Sequence, residues 1–261
     1  MAKGIAERTA RYGPPKIKRG QVNQKGSRRL RERLSFSLPL RVRARESQNY
    51  EWSEMTRSLD LTPFGARFLL RHPTERGRLL HLTIPMPRQL RCFDHTEPQY
   101  RVWALVRHVQ PRLCDGGETR FEVGVAFIGK RPPESFLRDP TCRYEPKGSE
   151  TEGMLSVTES VDERAERTRL HLPVEVVVEL FDDDAGKHTR EETVTENISP
   201  EGAAVFTTLE IERGRFVRVR DARRPDFVVT AVVRARRVGA DHIARLHLEF
   251  VDGKWPIEGL G

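Results

Sequence analysis

The sequence predicts an all-β protein made of two small antiparallel β-barrels in tandem, with a flexible basic N-terminal arm and a short linker. Two observations carry this prediction. The 261-residue chain is a series of short apolar segments separated by turn residues, and motifs of the first half recur in the second half in the same order. No amphipathic helix of normal length is found in the sequence. Closed barrels suit such strands because closure removes exposed sheet edges.

The internal repeat consists of five pairs of short motifs. Chance does not preserve the order of five pairs, so the chain is interpreted as two homologous domains. The first copies lie at residues 38–42, 60–66, 78–82, 104–107 and 123–127. Their partners lie at residues 172–176, 197–203, 215–219, 231–234 and 246–250.

Strands and turns alternate within each unit. Runs rich in β-branched and aromatic residues predict strands in the first unit at 38–45, 66–70, 79–84, 100–109 and 121–127. The stretches 115–117 (Asp-Gly-Gly) and 182–186 (Asp-Asp-Asp-Ala-Gly) indicate hairpin tips. A calcium loop is rejected for the second stretch because the alternating ligands and the closing Glu of an EF-hand are missing.

Composition divides the chain into four parts. Four prolines between residues 130 and 147, followed by an acidic, apolar-poor stretch, indicate a linker. A short helix is compatible with residues 135–138 or 159–167. The predicted boundaries are 1–27 for the arm, 28–135 for the first barrel, 136–160 for the linker and 161–261 for the second barrel.

Positive charge is concentrated at the N-terminal end. Residues 1–45 contain 14 Lys/Arg and 2 Asp/Glu, whereas the formal net charge of the whole chain is only +8. The arm is rich in Gly, Lys and Gln, which predicts flexibility. A basic arm keeps nucleic acid open as a partner, but only 7% of residues are aromatic, which argues against a base-stacking platform.

Several protein classes are excluded by simple features of the sequence. No apolar stretch approaches the 18 or so residues that span a membrane. The start, MAKGIAERTARYGPP, has no apolar core and predicts no secretory signal. Cys92, Cys114 and Cys142 form no CxxC pair and are odd in number, so no disulfide framework or zinc site is expected. The expected location is the cytoplasm.

No catalytic motif is found. The eight histidines are scattered without an HExxH pattern, and the P-loop, GxGxxG and GxSxG motifs are all missing. We therefore expect a binding protein and not an enzyme, with no catalytic residues, no metal and no cofactor.

Two motifs in the first unit remain as binding candidates. Arg29-x-x-x-Arg33 precedes the first predicted strand, and Asp60-x-Thr62-x-x-Gly65 opens the next one. Each carries little information alone, because the first lies in an Arg-rich tail. The second is compatible with a simple turn in which Asp and Thr bind local amides and Gly adopts positive φ.

Together, and in this order, the motifs resemble the PilZ domain, a bacterial receptor module for cyclic di-GMP. The family pattern is RxxxR, an apolar strand often containing Leu-Pro-Val, then [Asp/Asn]-x-Ser-x-x-Gly, a strand ending in Val-x-Arg and a Gly-Val-x-Phe strand. The resemblance covers about residues 26–135 and 160–256, and implies split-barrel domains. In the first unit it rests on the two motifs above, Leu38-Pro39, residues 105–107 and residues 124–127.

The resemblance implies binding residues in both units. In the first unit these are Arg28, Arg29, Arg33, Asp60, Thr62 and Gly65, with Thr62 in the place of the family's Ser. In the second unit they are Arg164, Arg167, Asn197, Ser199 and Gly202. Glu163 stands where the first unit has Arg29, and a carboxylate repels a dianionic ligand. The second site is therefore expected to be weaker.

The implied ligand is cyclic di-GMP. Guanidinium groups suit its phosphates and guanine O6 and N7 atoms, while the Asp60 carboxylate suits the guanine N–H donors. In this family an arginine directly before the pair, here Arg28, is associated with an intercalated ligand dimer, so two stacked molecules are expected. An unknown downstream protein partner would read the ordering of the arm. Two alternatives stay open: a degenerate PilZ pair acting as a protein-interaction adaptor and, less favoured, a nucleic-acid-binding protein.

Overall fold

A computed structural model describes residues 37–114, 116–147, 154–160, 169–181 and 189–257. The predicted tandem of antiparallel barrels is confirmed, and each barrel is closed by six strands. Barrel 1 consists of β1 (Pro39–Arg45), β2 (Glu51–Thr62), β3 (Gly65–Leu70), β4 (Leu79–Ile84), β5 (Tyr100–Leu113) and β6 (Thr119–Gly129). Around the barrel the order is β1-β2-β3-β6-β5-β4.

The linker residues carry regular structure of their own. They form α1 (Glu134–Arg138), β7 (Tyr144–Pro146) and β8 (Val157–Glu159), with β7 and β8 paired as a small hairpin. The Phe136 ring packs edge-on against Trp103 of barrel 1, with ring centroids 5.1 Å apart. The first of the two compatible helices therefore forms, and residue 159 lies in a strand.

Barrel 2 repeats the topology of barrel 1 strand by strand. Its strands are β9 (Glu175–Leu180), β10 (Arg190–Ser199), β11 (Gly202–Thr207), β12 (Phe216–Asp221), β13 (Val228–Val238) and β14 (Ala244–Phe250). They close in the order β9-β10-β11-β14-β13-β12, the same order as their counterparts in barrel 1. The sequence repeat is thus a repeat of whole barrels.

Side chains alternate between core and solvent along the strands, as β geometry requires. In β1, Leu40, Val42 and Ala44 are buried, while Arg41 and Arg43 are exposed. The tip between β5 and β6 contains Gly116 and Gly117, both with positive φ, in agreement with the prediction for the described part of that turn. The second predicted tip, at 182–186, lies outside the described residues.

The two barrels meet through one four-residue turn that is used twice. Glu-Arg-Gly-Arg occurs at residues 75–78 before β4 and at residues 212–215 before β12. Gly77 and Gly214 both have φ of +93°, a conformation that favours glycine. Their amides donate to Val106 O at 2.9 Å and Val233 O at 2.8 Å, respectively. The two turns therefore have the same backbone structure.

Side chains of these turns carry the contact between the barrels. Arg78 Nη2 donates to Gly214 O at 2.7 Å, and Arg78 Nη1 donates to Pro140 O at 2.9 Å. Glu75 Oε1 accepts from Arg78 Nε at 3.0 Å and from Arg234 Nη1 at 3.0 Å. Glu75 and Arg78 are both buried, so this contact rests on paired charges that are removed from water.

Candidate ligand-binding site

The [D/N]-x-[S/T]-x-x-G motif forms the tight turn between β2 and β3 in barrel 1. The Thr62 hydroxyl accepts from Phe64 N at 3.2 Å and donates to Gly65 O at 3.3 Å. In barrel 2 the hydroxyl of Ser199 donates to Gly202 O at 3.1 Å. The hydroxyl of each motif therefore holds its own turn, and its contact with a ligand stays a prediction.

The last position of the motif must be glycine, because a side chain there would clash with the neighbouring strand. A Cβ on Gly65 would lie 2.3 Å from Val125 O of the neighbouring strand, and one on Gly202 would lie 2.4 Å from Leu248 O. The positive φ predicted for this glycine is wrong, since neither residue is among the described residues with positive φ. Close approach of two backbones, one of the established uses of glycine, explains it instead.

In barrel 1 the motif carboxylate already has a basic neighbour. Asp60 is buried and lies directly opposite Arg67 across the β2–β3 pair, and Arg67 Nε donates to Asp60 Oδ2 at 2.8 Å. Arg67 Nη1 also donates to Glu122 at 2.8 Å, and this bond to Glu122 raises the pKa of Arg67. A register shift just before Asp60 marks a bulge, which aims the side chain locally.

In barrel 2 an arginine of the segment that leads into the barrel donates to the side-chain amide of the motif asparagine. Arg169 Nη1 donates to Asn197 Oδ1 at 3.2 Å. Next to this contact Leu170 and Ile198 exchange two backbone hydrogen bonds, of 2.8 and 2.9 Å. The leading segment therefore runs along the motif strand and brings a guanidinium group to the motif.

Sequence reasoning missed Arg169 as a site residue. It lies two positions after Arg167, and residues two apart on an extended chain face the same side. That spacing is the signal that would have identified it. Arg164 and Arg167 themselves lie outside the described residues, as do Arg28, Arg29 and Arg33 of the first unit.

The described end of the first leading segment follows the same path as the second. Leu38 N donates to Ser58 Oγ and Ser58 N donates to Leu38 O, both at 2.9 Å. In barrel 2, Val174 makes the same pair of bonds with Thr195, at 2.9 and 3.0 Å. Both segments thus enter beside the strand that ends in the motif, two residues before Asp60 or Asn197.

A cavity of about 680 Å³ lies beside this entry, on the β2 side of barrel 1. Glu54 lines it and accepts from the Arg71 amide at 2.9 Å, and Glu54 Oε2 lies 3.0 Å from His72 Nδ1. Burial alone would raise the pKa of Glu54, but these hydrogen bonds outweigh burial and hold it below its usual value. Asp60, Thr62 and Gly65 do not line the cavity, so cavity and motif are separate features.

Two features, a metal-binding cluster and a membrane-spanning helix, are missing from the described parts of the chain. No group of three or more His, Cys, Asp or Glu side chains there could hold a metal ion. No helix among those residues is long and apolar enough to cross a membrane.

Fold and site together define a class: a tandem of closed six-stranded antiparallel barrels, each with a [D/N]-x-[S/T]-x-x-G turn beside its leading segment. No family model and no curated protein matches the sequence. Among solved structures the chain is similar to the Bacillus subtilis inhibitor of motility MotI/DgrA, with 11% identity and a TM-score of 0.28, covering 84% of this chain and 90% of that chain.

Two complexes with c-di-GMP, the ligand that the resemblance implies, are also similar to this chain. One is the Borreliella burgdorferi PlzA protein, with 9% identity, a TM-score of 0.28 and coverage of 88% of this chain and 90% of that chain. The other is YcgR from Escherichia coli, with 12% identity, a TM-score of 0.28 and coverage of 82% and 76%, respectively. Because these TM-scores are below 0.5, the functional inference rests on the residues of this chain.

Proposed function

We propose that this protein is a receptor for cyclic di-GMP, which binds where the leading segment of a barrel crosses its [D/N]-x-[S/T]-x-x-G turn. The observation that carries the proposal is the contact of Arg169 with Asn197 beside the Leu170–Ile198 bridge. It supports a surface on which a leading-segment arginine and the motif side chain act together.

The chemistry of the ligand suits these groups. A guanidinium fork donates two parallel bonds to a phosphate or to O6 and N7 of guanine, and its planar face stacks on a purine. The carboxylate of Asp60 and the amide oxygen of Asn197 are acceptors for the guanine N1 and N2 donors. The motif glycine lets the backbone approach the neighbouring strand closely, which fixes the position of the turn under the ligand.

The first barrel is the main site in this proposal. Arg29 and Arg33 form a complete pair there, and Arg28 precedes them, so two stacked ligand molecules are expected. Arg67 donates to the Asp60 carboxylate, so a guanine must share this carboxylate with Arg67 or displace Arg67. The second site uses Arg164, Arg167 and Arg169. Val174 makes the bonds that Leu38 makes in barrel 1, so counting back from it places Ala165, and not Glu163, at Arg29 and places Arg169 at Arg33. The second site is weaker because this arginine pair is incomplete.

Binding is proposed to order the leading segment over the turn. A binding protein that lacks catalytic groups transmits the signal by changing the surface that a partner reads. We therefore expect a cytoplasmic receptor whose output passes through a protein partner.

Calorimetric titration with cyclic di-GMP tests this function. The wild-type protein is expected to bind two molecules at the first site. Arg33→Ala is expected to weaken that binding at least about tenfold, because one bidentate contact contributes about 1–3 kcal/mol. Arg167→Ala is expected to affect only weaker binding at the second site.

Arg19→Ala is the matched control, since it removes the same charge from the arm outside the motif. Its affinity should stay within about twofold of the wild type if the motif binds specifically. Equal losses for Arg19→Ala and Arg33→Ala, or equal affinity for GTP and cyclic di-GMP, would show general anion binding and overturn the proposal.

A further inference from the structure

The outer surface of barrel 1 has two rows of in-register side chains across β1, β4 and β5. One row is Arg43, His81 and Trp103, and the other is Arg41, Thr83 and Arg101. Directly paired residues of neighbouring strands point to the same side of the sheet, and the alternating residues between them are buried in the core. These six residues are called the basic face below.

The basic face contains three arginines and no carboxylate. Arg41, Arg43 and Arg101 are all exposed. Among the described residues, the only ion pair that these three make is an exposed one, between Arg43 Nη2 and Glu51 Oε1 at 3.1 Å. An exposed pair of this kind is weak, because water screens it, so a phosphate can displace Glu51 from Arg43. The face therefore presents a positive surface to solvent.

Further positive charge lies at the edge of the face. Gly129 pairs with Trp103, and the two residues that follow it, Lys130 and Arg131, are exposed. On the β4–β5 side of the face, the rings of His81 and Trp103 lie 5.1 Å apart and are partly exposed. Burial lowers the pKa of His81, and the positive charges of Arg43 and Arg101 lower it further.

The same surface of barrel 2 shows that this excess is not a property of the fold. Its corresponding rows are Glu179, Arg218 and Thr230, and Val177, Arg220 and Val228. Here a glutamate replaces Arg43, and it lies 3.6 Å from Arg220. The net charge of these six positions is +1 in barrel 2 and +3 in barrel 1.

We infer that the basic face of barrel 1 binds single-stranded nucleic acid, a function beyond the proposed reception of cyclic di-GMP. Arg41 and Arg43 stand about 7 Å apart along β1, and Arg101 lies two strands away, about 10 Å from Arg41, so one phosphate backbone that crosses the sheet can meet more than one arginine. Trp103 packs against Phe136 as well as His81, and the exposed parts of the Trp103 and His81 rings, next to Arg43 and Arg101, offer contacts to a base.

The described chain begins at Ser37, four residues before Arg41 of the basic face, and the sequence before it is rich in Lys and Arg. Arg57, on β2 next to β1, donates to Ser37 O at 2.7 Å, where the described chain begins. Positive charge close to the attachment point adds sequence-independent attraction for phosphates. A test must therefore distinguish binding by the basic face from binding by the N-terminal arm.

Fluorescence anisotropy with a labelled 20-nucleotide single-stranded DNA of mixed sequence makes this separation. The full chain is compared with the double variant Arg41→Gln/Arg101→Gln and with Arg218→Gln/Arg220→Gln, which removes two charges from the corresponding surface of barrel 2. The first variant should bind at least about tenfold more weakly. Its slope of log affinity against log salt should fall by about 1.4, because each phosphate contact to a single strand contributes about 0.7. The second variant should bind within about twofold of the wild type.

Circular dichroism of both variants shows whether they are folded; all four exchanged arginines are polar surface positions, so folding should be retained. Equal effects of the two variants would mean that binding depends on total charge and would overturn the inference. No measurable binding, or tighter binding of the matching duplex, would also overturn it. Cyclic di-GMP affinity should be unchanged in Arg41→Gln/Arg101→Gln, which keeps this test independent of the proposed receptor function.

Discussion

Arg234 of barrel 2 and Glu75 of barrel 1 form an ion pair across the contact between the barrels, with Arg234 Nη1 3.0 Å from Glu75 Oε1. Arg234 is also 2.7 Å from Glu249, so it binds carboxylates from both barrels. Glu75 is buried. A buried charge that loses its partner cannot regain full hydration, so this pair should be strongly coupled to stability.

Replacement of Arg234 by Ala should lower the free energy of unfolding by about 3 kcal/mol, the low end of the cost of breaking a buried ion pair, because Glu75 keeps its bond to Arg78. Urea denaturation followed by circular dichroism measures it. Arg190→Ala is the control, because the Arg190–Glu192 pair is exposed and should contribute at most about 1 kcal/mol. Similar losses in the two variants would contradict the importance of the buried pair.

The buried carboxyl group of Glu46 should make the protein less stable as pH rises. It is buried, and its carboxylate accepts from Trp52 Nε1 at 2.7 Å and lies 3.3 Å from Arg215 Nε. Burial raises the pKa of Glu46 from 4.5 to about 6, although Arg215 and Trp52 lower it in part. Between these values the native state binds more protons than the unfolded chain, so the stability contributed by this group falls as pH rises.

The expected size of this effect is about 2 kcal/mol between pH 4.5 and 7. Urea unfolding of the wild type and of Glu46→Gln at both pH values isolates it, because the variant lacks this titration. The pKa of Glu75 is lowered: burial raises it, but the charges of Arg234, Arg78 and Arg143 and the hydrogen bond from Arg234 together outweigh burial. The stability that the Glu75 carboxylate contributes is therefore lost only below the range of pH 4.5 to 7. A stability difference between the two proteins that does not change with pH would contradict the assignment.

The motif glycines should not tolerate a methyl group. Gly65→Ala and Gly202→Ala place a Cβ against a backbone oxygen at 2.3 and 2.4 Å, so the strands must separate. A loss of about 1–3 kcal/mol is expected for each from overpacking, measured by chemical denaturation. Gly124→Ala is the control in the same barrel, since its nearest neighbour, His108 Cβ, is at an ordinary 3.6 Å. A control that loses as much as Gly65→Ala would contradict this explanation.

Local patterns predicted most of the fold. The alternation of apolar and polar residues identified β1. The repeat placed the counterpart of residues 38–42 at residues 172–176, whereas β9 is Glu175–Leu180 and Val174, not Leu172, makes the bonds of Leu38. The strands β2 and β10 were not predicted, because their outward faces are polar and few apolar residues mark them. The Glu-Arg-Gly-Arg repeat that joins the barrels was visible in the sequence, but only the structure shows that both copies meet at one interface.

The candidate site was predicted in part. The motif located Asp60 and Asn197, yet their basic neighbours Arg67 and Arg169 depend on strand register and on the path of the leading segment. Neither can be read from a single motif. The role of Gly65 was assigned to the wrong cause, because a backbone contact with a strand 60 residues away leaves no local signal.

Hydrogen–deuterium exchange with and without saturating cyclic di-GMP tests the central claim most directly. Slower exchange is expected in two places together, the leading segment at residues 28–33 and the turn at residues 60–65, with loss of both effects in Arg33→Ala. Exchange that is unchanged in the leading segment while the ligand is bound would contradict it.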